Sequence, residues 1–237
     1  TYKLLTEKEI DFYVETINPI DKAGSYGIGF TGSITDIQAD GNEVDSNSSS
    51  VKTTGSADNL AFVPSVFAEY TTDVLGITVG IDFIPLATDV SSKTKKRSDI
   101  ETSVTDTVTA TNATRNQSAQ AEISDHLVFY AELPVYGGFY ISGGIGSVDV
   151  ETKENLDTGS SYGDASPDII KYGIGVKNET GNGWYYKAEY AYTDYDTIKL
   201  TSGTNTITAD LDTSAPVSYT HLRAHETGRN LVLPRGG

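Results

Sequence analysis

The feature that most constrains this chain is a two-residue hydrophobic period that recurs in separate segments. Tyr26, Ile28 and Phe30 fall on one side of an extended chain, with Gly27 and Gly29 on the other. Leu60, Phe62, Val66, Ala68 and Tyr70 share a side opposite a set that ends in Glu69. Leu75, Ile77, Val79, Ile81 and Phe83 alternate with Gly76, Thr78, Gly80 and Asp82. The same rhythm returns at Leu127 with Phe129, Ala131 and Leu133, then at Phe139 with Ile141 and Ile145. It returns again at Ile170 with Tyr172, Ile174 and Val176, and at Tyr186 with Ala188, Tyr190 and Tyr192. Successive side chains of a strand point to opposite faces, so these segments read as strands. An eighth starts around residues 204–211.

The connections are sorted by length. Short turns fall near Thr72, near Val135-Tyr136-Gly137 and near Gly181-Asn182-Gly183. Long polar stretches rich in Ser, Thr, Asp and Asn occupy residues 38–58, 88–119, 151–166 and 196–203. Membrane barrels show this asymmetry, with short turns at one end and long loops at the other. No segment approaches the ~20 consecutive apolar residues of a membrane helix. The net charge of -16 repels phosphate backbones and argues against nucleic acid as a partner.

The apolar sets hold Ile, Val, Leu, Phe and Tyr, and the opposing sets hold Gly, Ser, Thr and charges. In a soluble lipocalin-like barrel the apolar face points inward, to a ligand cavity. In a membrane barrel it points to lipid and the polar face lines the lumen. Two patterns favour lipid. Tyr70, Tyr136, Phe139, Trp184 and Tyr186 cluster by the short turns, and Tyr192 and Tyr195 by a long loop, as membrane-interface aromatics do. The polar set also carries both charge signs at mid-strand: Glu69, Asp82 and Glu132 on earlier strands, Lys171, Lys177, Lys187 and Glu189 on later ones. Charges enclosed in a narrow lumen must pair or stay wet. The expectation is a lumenal ion-pair network among these residues, which narrows or plugs the barrel.

Three zones follow: residues 1–24 unassigned, 25–215 the barrel, and 216–237 a tail that reads as non-native. In the first, Ile10, Phe12 and Val14 alternate and allow an extra strand. The chain has no Met, and the expectation is that its start is not the native one and that a signal peptide has been lost with it. The tail holds His221, His225, Arg223, Arg229 and Arg235 in a chain otherwise poor in both types, and it resembles translated sequencing-adaptor read-through. On that reading the last strand is truncated or replaced.

Catalytic chemistry finds little support. There is no Cys, and His126 is the only histidine outside the tail. Ser124 and Asp125 adjoin it, but neighbours on a strand face opposite ways, so Asp125 is poorly placed to orient the imidazole. No catalytic residues, metal ligands or cofactors are assigned. The glycines at 143, 144 and 146 lack the Lys and helix of a phosphate loop and read as close packing in the barrel wall. Lys93, Lys95, Lys96 and Arg97 form a basic cluster that would meet acidic lipopolysaccharide if it stands outside the cell.

The segments Val66-Phe67-Ala68-Glu69-Tyr70, Gly76-Ile77-Thr78-Val79-Gly80-Ile81-Asp82 and Leu133-Pro134-Val135-Tyr136-Gly137-Gly138-Phe139-Tyr140 resemble porin-like outer-membrane β-barrels of the OmpA/opacity type. Residues 143–150 and 159–164 are similar to versions from marine α-proteobacteria. The resemblance implies an all-β fold, an eight-stranded antiparallel up-and-down transmembrane β-barrel in a Gram-negative outer membrane. It implies outer-membrane lipid, lipopolysaccharide and the barrel-assembly machinery as partners, and a structural, surface-contact or limited-permeability role rather than an enzymatic one. A soluble lipocalin-like binder, an adhesin acting through the long loops, and a barrel with lipid-modifying or protease activity stand as alternatives.

Overall fold

The computed structural model describes residues 25–45, 52–72, 75–103, 111–155, 157, 161–179, 184–202 and 205–225. All described regular structure is β: β1 (Ser25–Asp45), β2 (Lys52–Thr71), β3 (Thr78–Ile84), β4 (Thr88–Asp89), β5 (Lys95–Ser103), β6 (Thr111–Pro134), β7 (Phe139–Asn155), β8 (Asp168–Glu179), β9 (Trp184–Tyr195), β10 (Ile198–Ser202) and β11 (Asn205–His225). Every pairing is antiparallel. Eight strands run β1-β2-β3-β6-β7-β8-β9-β11, and β11 pairs back onto β1, closing a barrel. Closure removes the exposed edges that an open sheet would carry. β4 and β5 continue along β6 where β3 ends, and β10 folds onto β11.

The short connections are tight. Between β6 and β7, the Val135 and Phe139 amides donate to the Phe139 and Tyr136 carbonyls at 2.8 and 3.0 Å. Gly137 and Gly138 adopt φ of 61° and 87° there. A Cβ on Gly138 would also press on the Lys177 carbonyl, so this turn needs glycine. At the other end the stretches expected to be loops are largely strand. β1 and β2 stay paired out to Val44↔Lys52, β5 pairs with β6 from Lys95 to Ser103, and β7 runs to Asn155. A tilted strand crosses a bilayer in about 9–11 residues, so the 21 residues of β1 stand well beyond it. These extensions are polar on both faces, which is why no alternation marked them as strands.

The expected break at residue 216 is not a break in the fold. β11 continues through it, with Pro216↔Tyr190 to Leu222↔Trp184 against β9 and Val217↔Ser33 to His225↔Ser25 against β1. Val217 and Tyr219 face inward while Pro216 and Ser218 face out, so the alternation that defines the strand runs past the boundary the composition suggested. The β1–β11 register omits Ile34 and Thr35 beside Ala215 and Pro216, because proline offers no N–H to the ladder. The extra strand allowed at Ile10 to Val14 lies outside the described residues, as do residues 226–237.

A second irregularity lies on the opposite side of β1. The β2–β3 ladder stops at Val66↔Phe83. Two positions farther along, Pro64 and Pro85 come next to each other in register, and neither has an N–H to give. Beyond them β2 stays paired with β1, and β4 and β5 with β6, but no ladder joins β2 to β4 among the described residues. Asn59 Nδ2 donates across this gap to the Asp89 carbonyl at 2.6 Å.

The glycines test this packing. Gly146 lies against the β6 backbone, where a Cβ would collide with the Leu127 carbonyl, whereas a Cβ on Gly143 meets nothing within 4 Å. Gly146→Ala is expected to lower unfolding stability by about 1–3 kcal/mol, and Gly143→Ala to leave it unchanged. Urea unfolding midpoints of the lipid-embedded protein check the pair; equal midpoints would refute the β6–β7 register.

Candidate functional site

The two faces of the wall differ sharply. Ile28, Phe30, Phe62, Phe129, Ile145, Ile170 and Ile174 all point outward and are more than half exposed, with Phe30 at 72% and Ile145 at 67%. The inner face at the same level carries Gly, Ser, Thr and the charged side chains. An apolar belt of this extent around a closed barrel has no partner but lipid. The chain is a transmembrane β-barrel. A lipocalin-like binder would need the reverse arrangement. Tyr136, Phe139 and Tyr186 stand exposed at the short-turn end, and Tyr70 is half-buried on the outward face beside them. Tyr192 stacks on Tyr172 at 5.2 Å toward the other end. The Trp184 side chain lies outside the described residues. Tyr195 departs from expectation: it is buried in the interior, 6.1 Å from the His126 ring.

The inward charges meet across the lumen. Lys187 on β9 is 1% exposed and donates from Nζ to Glu69 Oε2 on β2 at 2.9 Å and to Glu132 Oε1 on β6. Lys177 on β8 reaches the other Glu132 oxygen at 3.1 Å and Thr78 Oγ1 on β3 at 3.1 Å. Lys171 on β8 sits between Asp82 on β3, at 3.7 Å, and Glu189 on β9, at 3.6 Å. The charged residues singled out in the sequence thus fall into two ion-paired groups, Lys177 and Lys187 with Glu69 and Glu132, and Lys171 with Asp82 and Glu189.

Sequence reasoning missed the aromatic shell around them. Lys187 Nζ lies 4.1, 5.1 and 5.3 Å from the ring centroids of Tyr219, Tyr130 and Phe67, a cation–π setting that suits a dehydrated ammonium. Tyr130 Oη donates to Glu69 at 3.0 Å and Tyr219 Oη to Glu189 at 3.2 Å. The signal was present in part: Tyr130 and Tyr140 are bulky members of the otherwise small inward set. Glycine makes the room, since a Cβ on Gly80 or Gly175 would sit 2.5 Å from the Tyr130 or Tyr140 ring.

Farther from the short turns the lumen changes character. Ile37, Val128, Val148, Val150, Ile169 and Leu211 pack together inside the barrel, where a polar lining was expected. Between this cluster and the charges lies a cavity of about 80 Å³, lined by Thr31, Ser33, Val63, Ile84, Ala191 and Val217, with Asp82 and Lys171 at its floor. It has room for several water-sized groups, and Val63 and Ile84 place it beside the unpaired β2–β4 seam. His126 borders it too, at a bulge where Asp125 takes a φ of 49° and faces out while His126 faces in. The two side chains are thereby held apart, and Asp125 cannot orient the imidazole.

No protein-family model and no curated protein sequence matches the chain. Among solved structures it is similar to the outer membrane protein OprG from Pseudomonas aeruginosa, with a TM-score of 0.45 and 12% identity over 86% of this chain and 97% of that one. It is also similar to the outer membrane protein AlkL, at TM-score 0.41, 14% identity and coverage of 85% and 92%. A third is the outer membrane protease OmpT from Escherichia coli, at 0.42, 10%, 83% and 96%.

Removing one member of a buried ion pair leaves the other uncompensated. Lys187→Met is therefore expected to destabilise the barrel by about 3–5 kcal/mol, measured as the shift in urea unfolding free energy in lipid. Lys187→Met combined with Glu69→Gln, which leaves Glu132 to Lys177, should recover part of the loss. A single variant as stable as the parent would show that the charges do not bear on folding.

Proposed function

We propose that the protein is a bacterial outer-membrane barrel of limited permeability, without enzymatic activity, set among outer-membrane lipid and lipopolysaccharide after delivery by the barrel-assembly machinery. The observation that carries this reading is the barred lumen. The Lys187–Glu69–Glu132 contacts cross the bore, so water and ions have no straight path along the axis. What remains is the cavity above the charges and the seam beside it. Leu60, Phe62 and Leu86 flank the seam on its outer side, 68%, 70% and 56% exposed. A small apolar solute that reaches the cavity therefore has a side exit into the bilayer between β2 and β4, while a hydrated ion has none. The hairpins that stand beyond the belt support surface contact as a second reading.

The chain contains no cysteine, so an introduced pair is free of interference. Ser65→Cys with Ile84→Cys places one thiol on each side of the seam. In vesicles with lipopolysaccharide in the outer leaflet, oxidation of the pair is expected to reduce uptake of labelled toluene to the protein-free rate, and reduction to restore it. Equal uptake in both states would sink the side exit. A large steady ion conductance of the parent protein in planar bilayers would sink the barred lumen.

A further inference from the structure

At the far end of the extended strands, one carboxylate gathers donors from around the barrel. Glu43, on the extension of β1, accepts from Tyr162 Oη and Asn205 Nδ2 at Oε1, both at 2.8 Å, and from Arg97 at Oε2 at 2.9 Å. Asn205 opens β11, the immediate neighbour of β1. The other two come from farther away. Arg97 is on β5, across the seam from the β1–β2 hairpin. Tyr162 belongs to the connection between β7 and β8, and β7 lies diametrically opposite β1 in the eight-strand ring. The same connection is tied to the β5–β6 hairpin by Arg115, which donates to the Asp157 carbonyl at 2.8 Å.

Arg97 is exposed and Glu43 half-buried, but the Tyr162 arm is not a loose surface contact. Tyr162 is buried, and its backbone amide donates to Glu154 on β7. Burial pushes the Glu43 carboxyl up, but hydrogen bonds from Tyr162, Arg97 and Asn205 and the Arg97 charge outweigh it and hold the group below its ordinary value. Burial, reinforced by Glu43, pushes the Tyr162 hydroxyl up to about 12. At neutral pH an ionised acceptor therefore faces a neutral donor, a charge-assisted hydrogen bond.

We infer that Glu43 is a clasp that draws the β1–β2 and β5–β6 hairpins, the β7–β8 connection and the start of β11 together and closes the outer mouth of the lumen. One carboxylate reaching donors from opposite walls must span the opening between them. The clasp controls access from outside, independently of the β2–β4 seam within the membrane.

The test is a thiol between the clasp and the apolar cluster. Ala39 on β1 is partly buried against that cluster, on the Glu43 side of Ile37, so Ala39→Cys reports entry by a membrane-impermeant maleimide. In lipid vesicles the seam is covered by bilayer and the charged network bars the short-turn end, so the reagent enters at the mouth alone. Glu43→Ala is expected to speed labelling by about tenfold or more, the weight of one hydrogen bond to a charged group. Tyr162→Phe, which removes one hydroxyl and keeps the ring, should speed it in the same direction and provides the test should Glu43→Ala fail to fold. Unchanged labelling in a folded variant of either kind would overturn the clasp. The result is blind to the seam: a sealed Ser65→Cys/Ile84→Cys pair that blocks toluene but leaves the clasp effect intact separates the two ideas.

Discussion

The lower half of the lumen is arranged around one ammonium group held out of water. Lys187 has lost its hydration, and two carboxylates and a ring of aromatic faces replace it. Desolvating such a charge costs several kcal/mol unless the geometry is complete, and completing it requires strands from distant parts of the chain. Glu69 comes from β2, Glu132 from β6 and Tyr219 from β11. The barrel can satisfy Lys187 only with its circumference in register. A slip of one residue in any of these strands would turn its inward side chain to lipid. The network thus specifies the register of a fold whose lipid-facing belt, uniformly greasy, specifies it weakly.

The same wall is permissive elsewhere. Pro64 and Pro85 meet where β2 would pair with the strand after β3, and two missing N–H groups end the ladder there. A membrane does not tolerate unpaired backbone facing hydrocarbon, but it does where that backbone borders a cavity. The cavity beside Val63 and Ile84 supplies that setting. Charge closure and backbone release lie side by side: the Lys187 contacts cross the lumen, and the cavity above them borders the unpaired seam.

Much of this layout was legible in the residues. Period-two alternation located the strands of the membrane-spanning wall, and signed charges within the polar set pointed to side chains that meet in the lumen. The failures have physical causes. Beyond the bilayer neither face of β1, β2 or β6 meets an apolar medium, so the pattern vanishes while backbone pairing persists. The closing strand past residue 215 was hidden because its composition differs from the rest, although Val217 and Tyr219 keep the rhythm. The inward cluster of Ile37, Val148 and Leu211 was missed because a polar lumen was assumed along its whole length. The clasp was invisible because Glu43, Arg97, Tyr162 and Asn205 are isolated polar residues in stretches where no alternation marks a strand.

The pairing of β1 with β11 also has a consequence in time. The two strands are neighbours in space, yet they stand at opposite ends of the barrel sequence, so the final seam joins segments separated by nearly its whole length. Such contacts carry the largest loop-closure entropy and form late. Until β11 has emerged, every partial barrel has two open edges and an uncovered greasy belt, and in water both invite aggregation. Among the described strands only β11 pairs with both β1 and β9, so the ring is complete only once that strand is present.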